Sequence, residues 1–171
     1  MAKAYMPFSA QALHPASGVA SNLSAVLDYK DSTSGTDPKS RYPRWLFADN
    51  AVQYVHLSFV LPDDYDHNTA PHLKLFTGHD EPNYTVRFEV YVAATTPGEG
   101  IWQNTVDSVN QKDQELNGAG STTIDITLTN EDGARAGDLI DIIVGRDAVD
   151  AANTYQHGLW VIGGVFEYTK T

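Results

Sequence analysis

The sequence predicts an antiparallel β-sandwich of jelly-roll topology, preceded by an irregular N-terminal arm. Three observations lead there. From Trp45 onward apolar residues recur with period 2, the signature of half-buried strands. Clusters of Gly, Pro, Asp and Asn punctuate these runs, as in Asn130-Glu131-Asp132-Gly133 and Thr96-Pro97-Gly98-Glu99-Gly100. No helix-period segment is long enough to build a covering layer of helices. Seven or eight short strands joined by long crossovers fit two packed sheets.

Residues 1–44 read differently from 45–171, and the boundary between arm and sandwich domain is placed there. The first part is rich in Ala, Ser, Gly and Pro, and Pro7, Pro15, Pro38 and Pro43 interrupt any long element. One short helix is expected at Ser21–Lys30, where Leu23, Val26 and Leu27 share a face and Ser21 or Asn22 can cap. Asp31–Pro38 reads as an exposed loop. The whole segment is either a poorly ordered tail or an arm lying on a neighbouring subunit, with Tyr5, Phe8, Leu13 and Leu23 as its anchors.

The strands follow in order. Val55, Leu57 and Phe59 alternate with Tyr54, His56 and Ser58. Leu73 and Leu75 mark a short strand. The clearest run sets Val86, Phe88, Val90 and Val92 against Thr85, Arg87, Glu89 and Tyr91. A polar stretch from Trp102 to Ser121 is expected to cross between the sheets. Ile124, Ile126 and Leu128 give another strand, and Leu139–Val144 is apolar enough for a central one. Leu159–Tyr168 closes the chain, with Gly163-Gly164 marking a bulge or a close backbone approach.

Composition narrows the functions. The 171 residues carry 22 acidic and 11 basic side chains, a formal net charge of −11. Nucleic-acid binding needs a basic face, because phosphate neutralisation supplies most of the affinity. An anionic membrane repels such a surface too, and no apolar run approaches transmembrane length. Neither nucleic acid nor membrane is therefore expected as a partner. The absence of cysteine removes disulfides, thiolate metal sites and thiol nucleophiles. The start, Met1 to Phe8, has no signal-like apolar run, so synthesis in a cytoplasm without a conventional export signal is expected.

Catalytic constellations are thin. The six histidines form no zincin pair, and His56 reads as a hydrogen-bonded structural residue. His67, His72 and His79 lie close in sequence, yet loop histidines are ordinarily solvated. Asp63, Asp64 and Asp66 offer oxygen ligands for Ca²⁺ but lack the spacing of an EF-hand, and a turn explains them equally well. Glu89 with Asp141 or Asp125 is the nearest approach to a glycosidase carboxylate pair, and each alternates with apolar neighbours as a solvent-facing residue would. No nucleophile elbow, P-loop or dinucleotide fingerprint occurs. The expectation is a protein that is not an enzyme and needs no cofactor. Among aromatics, Trp160 is expected in the core, whereas Trp102 and Tyr91 are the candidates to face a ligand or a partner subunit.

The run Ala136-Gly137-Asp138-Leu139-Ile140-Asp141-Ile142-Ile143-Val144-Gly145-Arg146-Asp147, followed by an acidic loop and Leu159–Tyr168, resembles small jelly-roll virion proteins of tailed bacteriophages. The stretches Trp45–Asn50 through Leu61-Pro62 and Val86–Trp102 resemble them too, so the likeness covers about residues 45–171. It implies a head decoration or cement protein on the capsid surface, a homotrimer with the major capsid protein as partner and no active-site residues. A carbohydrate- or receptor-binding sandwich on a phage particle is the alternative, with a glycan as partner.

Overall fold

The alternating runs pair as they would to shed both their apolar faces and their free backbone groups, in two sheets packed face to face. The computed structural model describes residues 1–16, 23–31, 41–100, 106, 108–118 and 120–171. Their strands, in chain order, are β1 (Lys3–Ser9), β2 (His14–Ala16), β3 (Leu23–Ser24), β4 (Val26–Asp31), β5 (Arg41–Phe47) and β6 (Val52–Val60). There follow β7 (His72–His79), β8 (Tyr84–Thr95), β9 (Asn110–Leu116), β10 (Gly120–Thr127), β11 (Leu139–Asp147) and β12 (Leu159–Thr169). The first sheet runs β10-β7-β12-β5-β4, with β1 also on β12; the second runs β2-β6-β11-β8-β9, with the short β3 parallel to β6. The core orders β5-β12-β7-β10 and β6-β11-β8-β9 interleave in sequence, which is the double Greek key of a jelly roll.

The predicted inward faces form the core. Val86, Phe88, Val90 and Val92 of β8 and Ile140, Ile142 and Val144 of β11 are buried against Leu73, Leu75, Ile124, Ile126 and Val161 of the other sheet. Phe47 meets Phe88 edge-on across the gap, with ring centroids 5.9 Å apart. At Gly163 the β12–β7 register shifts. A Cβ on Gly164 would lie 2.2 Å from the Lys74 carbonyl oxygen, so the close approach of these backbones requires glycine there.

Within residues 1–44, the described strands pair into the two sheets. Instead of a helix over Ser21–Lys30, the described part of that segment forms β3 and β4, with β4 in antiparallel register with β5 from Val26 to Asp31. A ten-residue helix is marginal by itself, whereas an open sheet edge offers backbone partners along its whole length. Pro38 lies outside the described residues, and the other three prolines do not prevent pairing. Pro7 and Pro15 sit on edge strands, and Pro43 precedes the Trp45–Phe47 stretch that pairs with β12. Leu13 and Ala10 are buried in the core, and Trp45 donates its indole N–H to the Ala10 carbonyl at 2.8 Å.

The polar crossover expected from Trp102 to Ser121 also contains a strand. Residues 110–116 form β9 on the edge of the second sheet, where only Asn110 and Leu116 are buried. An edge strand needs few apolar residues, so period-2 apolarity does not reveal it.

Candidate functional site

The outer face of the first sheet carries an open cleft, a space of about 400 Å³. It is lined by Arg44 of β5, Trp160 and Ile162 of β12, Gly78 and His79 of β7, Asp80 beyond it, and Gly120 and Ser121 of β10. Alternation sets this up. Leu159 and Val161 point into the core, so Trp160 between them is turned outward and half-exposed. This corrects the expectation that Trp160 fills the core. Four successive bulky apolar residues, Leu159 to Ile162, leave the phase of a period-2 pattern undetermined by sequence.

Two neighbours frame the indole. In register, Trp160 stands opposite Gly78, which in turn stands opposite Ser121. A Cβ on Gly78 would lie 3.6 Å from Trp160 Cε3, so the missing side chain leaves the floor beside the ring open. From the β5 side the Arg44 guanidinium sits 4.4 Å from the indole centroid. Its Nε and Nη2 donate to Asp28 Oδ2 of β4 at 3.0 and 2.6 Å, which fixes the guanidinium plane. His79 is buried at the cleft wall, one ring nitrogen 3.1 Å from Thr122 Oγ1 and the other 3.1 Å from the Glu81 carbonyl. Trp160 Nε1 is buried and has no hydrogen-bond partner among the described residues.

The same face continues away from the cleft. Phe76, two residues before Gly78, is 44% exposed, and Tyr5 on β1 is 58% exposed. Beyond them Glu167 is almost fully buried and accepts hydrogen bonds from Lys3 and Lys74, which hold its carboxyl below the usual glutamate range. Lys74 and His72 both reach Asp125, so the charges pair among themselves.

The residues singled out by sequence are scattered. Of the arm anchors, Leu13 is core, Phe8 packs against the core and Tyr5 is on the outer face. The backbone of Leu23 pairs opposite Gln53. Trp102 lies outside the described residues. Tyr91 is half-buried on the second sheet's outer face, donating to Glu89 Oε2 at 3.2 Å and edge-on to Tyr54; burial pushes its hydroxyl pKa up.

Asp63, Asp64 and Asp66 do not converge. Asp64 accepts from Lys170 at 2.7 Å and from the Tyr168 hydroxyl at 2.9 Å, and these bonds lower its pKa. Asp66 accepts from the Asn68 backbone and side chain and from Thr69, the turn chemistry of an Asx motif. His67, His72 and His79 do not share a centre either; no group of three or more potential ligands is close enough for a metal among the described residues. Glu89 stands opposite Gly145, four residues along β11 from Asp141. That is about 13 Å of strand, beyond the roughly 5–10 Å of a glycosidase pair. Asp125 is on the other sheet.

Sequence reading also missed Arg146. Its guanidinium is fully buried in the interior and donates to the carbonyls of Phe47, Ala48, His157 and Tyr155. Loss of hydration pulls its pKa down to about 10, which leaves it charged at neutral pH. The only hint in sequence is a charge placed where β11 should be apolar.

No protein-family model matches the chain, and no curated protein does. Among solved structures it is similar to a carbohydrate-binding module of Caldicellulosiruptor saccharolyticus in complex with mannohexaose, with 9% identity, a TM-score of 0.47 and 96% of each chain covered. It is similar to an arabinose-bound α-L-arabinofuranosidase, with 13% identity and a TM-score of 0.47 over 95% of this chain but 24% of that one. Tailspike protein 4 of bacteriophage CBA120 gives 6% identity and a TM-score of 0.43, with 96% of this chain on 19% of that one. At these levels the likenesses carry no argument about ligand or chemistry.

Proposed function

We propose that this chain is a carbohydrate-binding β-sandwich module that holds a glycan in the cleft beside Trp160. The observation that carries this reading is a half-exposed indole on a sheet face, backed by Arg44 and left open by Gly78. The cleft's 400 Å³ lies within the roughly 300–1,000 Å³ of small-ligand sites. A pyranose presents an apolar C–H face and a rim of hydroxyls. The indole accepts the first, and Arg44, Asp80 and Ser121 are placed to bond the second. The role is recognition without chemistry: no acid–base pair is part of it.

The test is glycan-array screening followed by calorimetry on the best ligand. Trp160→Ala is expected to lower affinity at least roughly tenfold, the loss of one buried aromatic contact, with an unchanged melting curve. An empty array, or full affinity in Trp160→Ala, would overturn the reading.

Virion decoration, as a homotrimer held on the major capsid protein, is the second reading. It draws on edge strand β4, where Val26 is 59% exposed and Leu27 lies exposed beside it. A stable trimer in sedimentation together with an empty array would favour it.

A further inference from the structure

The outer face of the second sheet holds a pair of histidines that glycan binding does not use. His14 on edge strand β2 stands directly opposite His56 on β6. Their ring centroids are 5.4 Å apart and the planes are tilted by 40°. Neither imidazole has a hydrogen-bond or ion-pair partner among the described residues, so His56 is not the hydrogen-bonded residue its sequence context suggests. His14 is exposed and His56 half-buried, which leaves solvent access to both.

We propose that His14 and His56 form a two-point chelate for a borderline divalent transition metal such as Zn²⁺, Ni²⁺ or Cu²⁺. The geometry fits. With metal–nitrogen bonds of about 2.0–2.1 Å and ring centres about 1.2 Å beyond, two imidazoles at a tetrahedral angle place their centroids about 5.2 Å apart. The observed separation is within a few tenths of that. Directly opposed residues on paired strands hold this spacing through the backbone ladder, so little ordering is left to the metal. Imidazole suits these ions, and waters complete the shell. The neighbouring groups are already engaged: Asp141 accepts from Ser58, and Glu89 accepts from Tyr91 and Gln111. Ile143, opposite His56 on β11, adds an apolar wall. The bound ion would pin β2 to β6.

Calorimetric titration of the full chain with Zn²⁺ at pH 7.5 tests this. One micromolar site is expected, together with a rise of a few degrees in melting temperature at saturating metal. His14→Ala and His56→Ala should each weaken that site roughly tenfold or more, and His67→Ala should leave it intact. Metal-free melting curves check that the variants fold, and His14→Phe supplies a ring without nitrogens should His14→Ala loosen β2. No heat up to about 1 mM Zn²⁺, or affinity retained in either single variant, would overturn the assignment.

Discussion

The two outer faces of the sandwich use similar residues to opposite ends. On the second sheet, away from His14 and His56, several long polar side chains are answered by a neighbour. Arg87 makes a forked pair with Asp113 at 2.6 and 2.7 Å and reaches Asp150 at 2.9 Å, and Glu89 takes bonds from Tyr91 and Gln111. The Tyr54 ring lies over Gly145, so even the glycine on that face is covered. On the first sheet the space above Gly78 is bordered at 3.6 Å by the Trp160 ring edge and the Gly120 carbonyl oxygen, and a cleft remains. A glycine in a strand is thus a socket on one face and a gap on the other. What differs is whether a neighbouring ring occupies the space.

The sharpest way to break this contrast is to add one methyl group to each face. In Gly145→Ala the new Cβ would lie 2.3 Å from Tyr54 Cε1, and a buried ring would have to move. A loss of about 1–3 kcal/mol is expected, read from denaturant midpoints. In Gly78→Ala the nearest atoms are 3.6 Å away, ordinary contact, and stability should stay within about 0.5 kcal/mol of the parent. Equal losses at both positions would mean that the faces do not differ in packing.

Burial of charge gives the next contrast. Glu167→Gln on the first sheet replaces a carboxylate that Lys3 and Lys74 both donate to. Because the folded pKa lies below that of the unfolded chain, its contribution is complete above the unfolded value of about 4.3 and fades as pH falls through the folded one. The variant should be less stable by about 1–2 kcal/mol at pH 7, with a flatter loss of stability in acid than the parent. Urea melts at pH 7, 4 and 3 would show it. A parallel offset at all three would refute the pairing.

Asp113→Asn on the second sheet should matter least. Arg87 holds the Asp113 carboxyl pKa down, but the pair faces solvent and salt screens it. A change of about 0.2–1 kcal/mol is expected, shrinking further in 1 M salt.

How much of this could be read from the chain depended on where each residue stood. Strands β8 and β10 were legible because each buries one face only, and burial of one face writes itself as alternation. Edge strand β9 was not, since Gln111, Asp113 and Glu115 need no apolar partner. Segment 23–31 carried an apolar spacing that suits a helix or a strand, and pairing with β5 decided it. The cleft escaped for a different reason. Its openness comes from Gly78 and Gly120, and an absent side chain signals nothing until the register places it beside Trp160. Arg146 was equally hidden, because the carbonyls at the end of β5 and before β12 become its partners only after the sheets close.

That arginine ties the two layers mechanically. It rises from β11 in one sheet and grips the end of β5 and the approach to β12, both in the other. The loop from 148 to 158 therefore cannot peel away while β5 stays docked, nor can β5 leave alone. Opening at this end should be an all-or-none event, visible in hydrogen exchange as one shared protection level for the amides of β5, β11 and the start of β12. A ligand lodged beside Trp160 would then slow exchange on the far sheet, which it never touches.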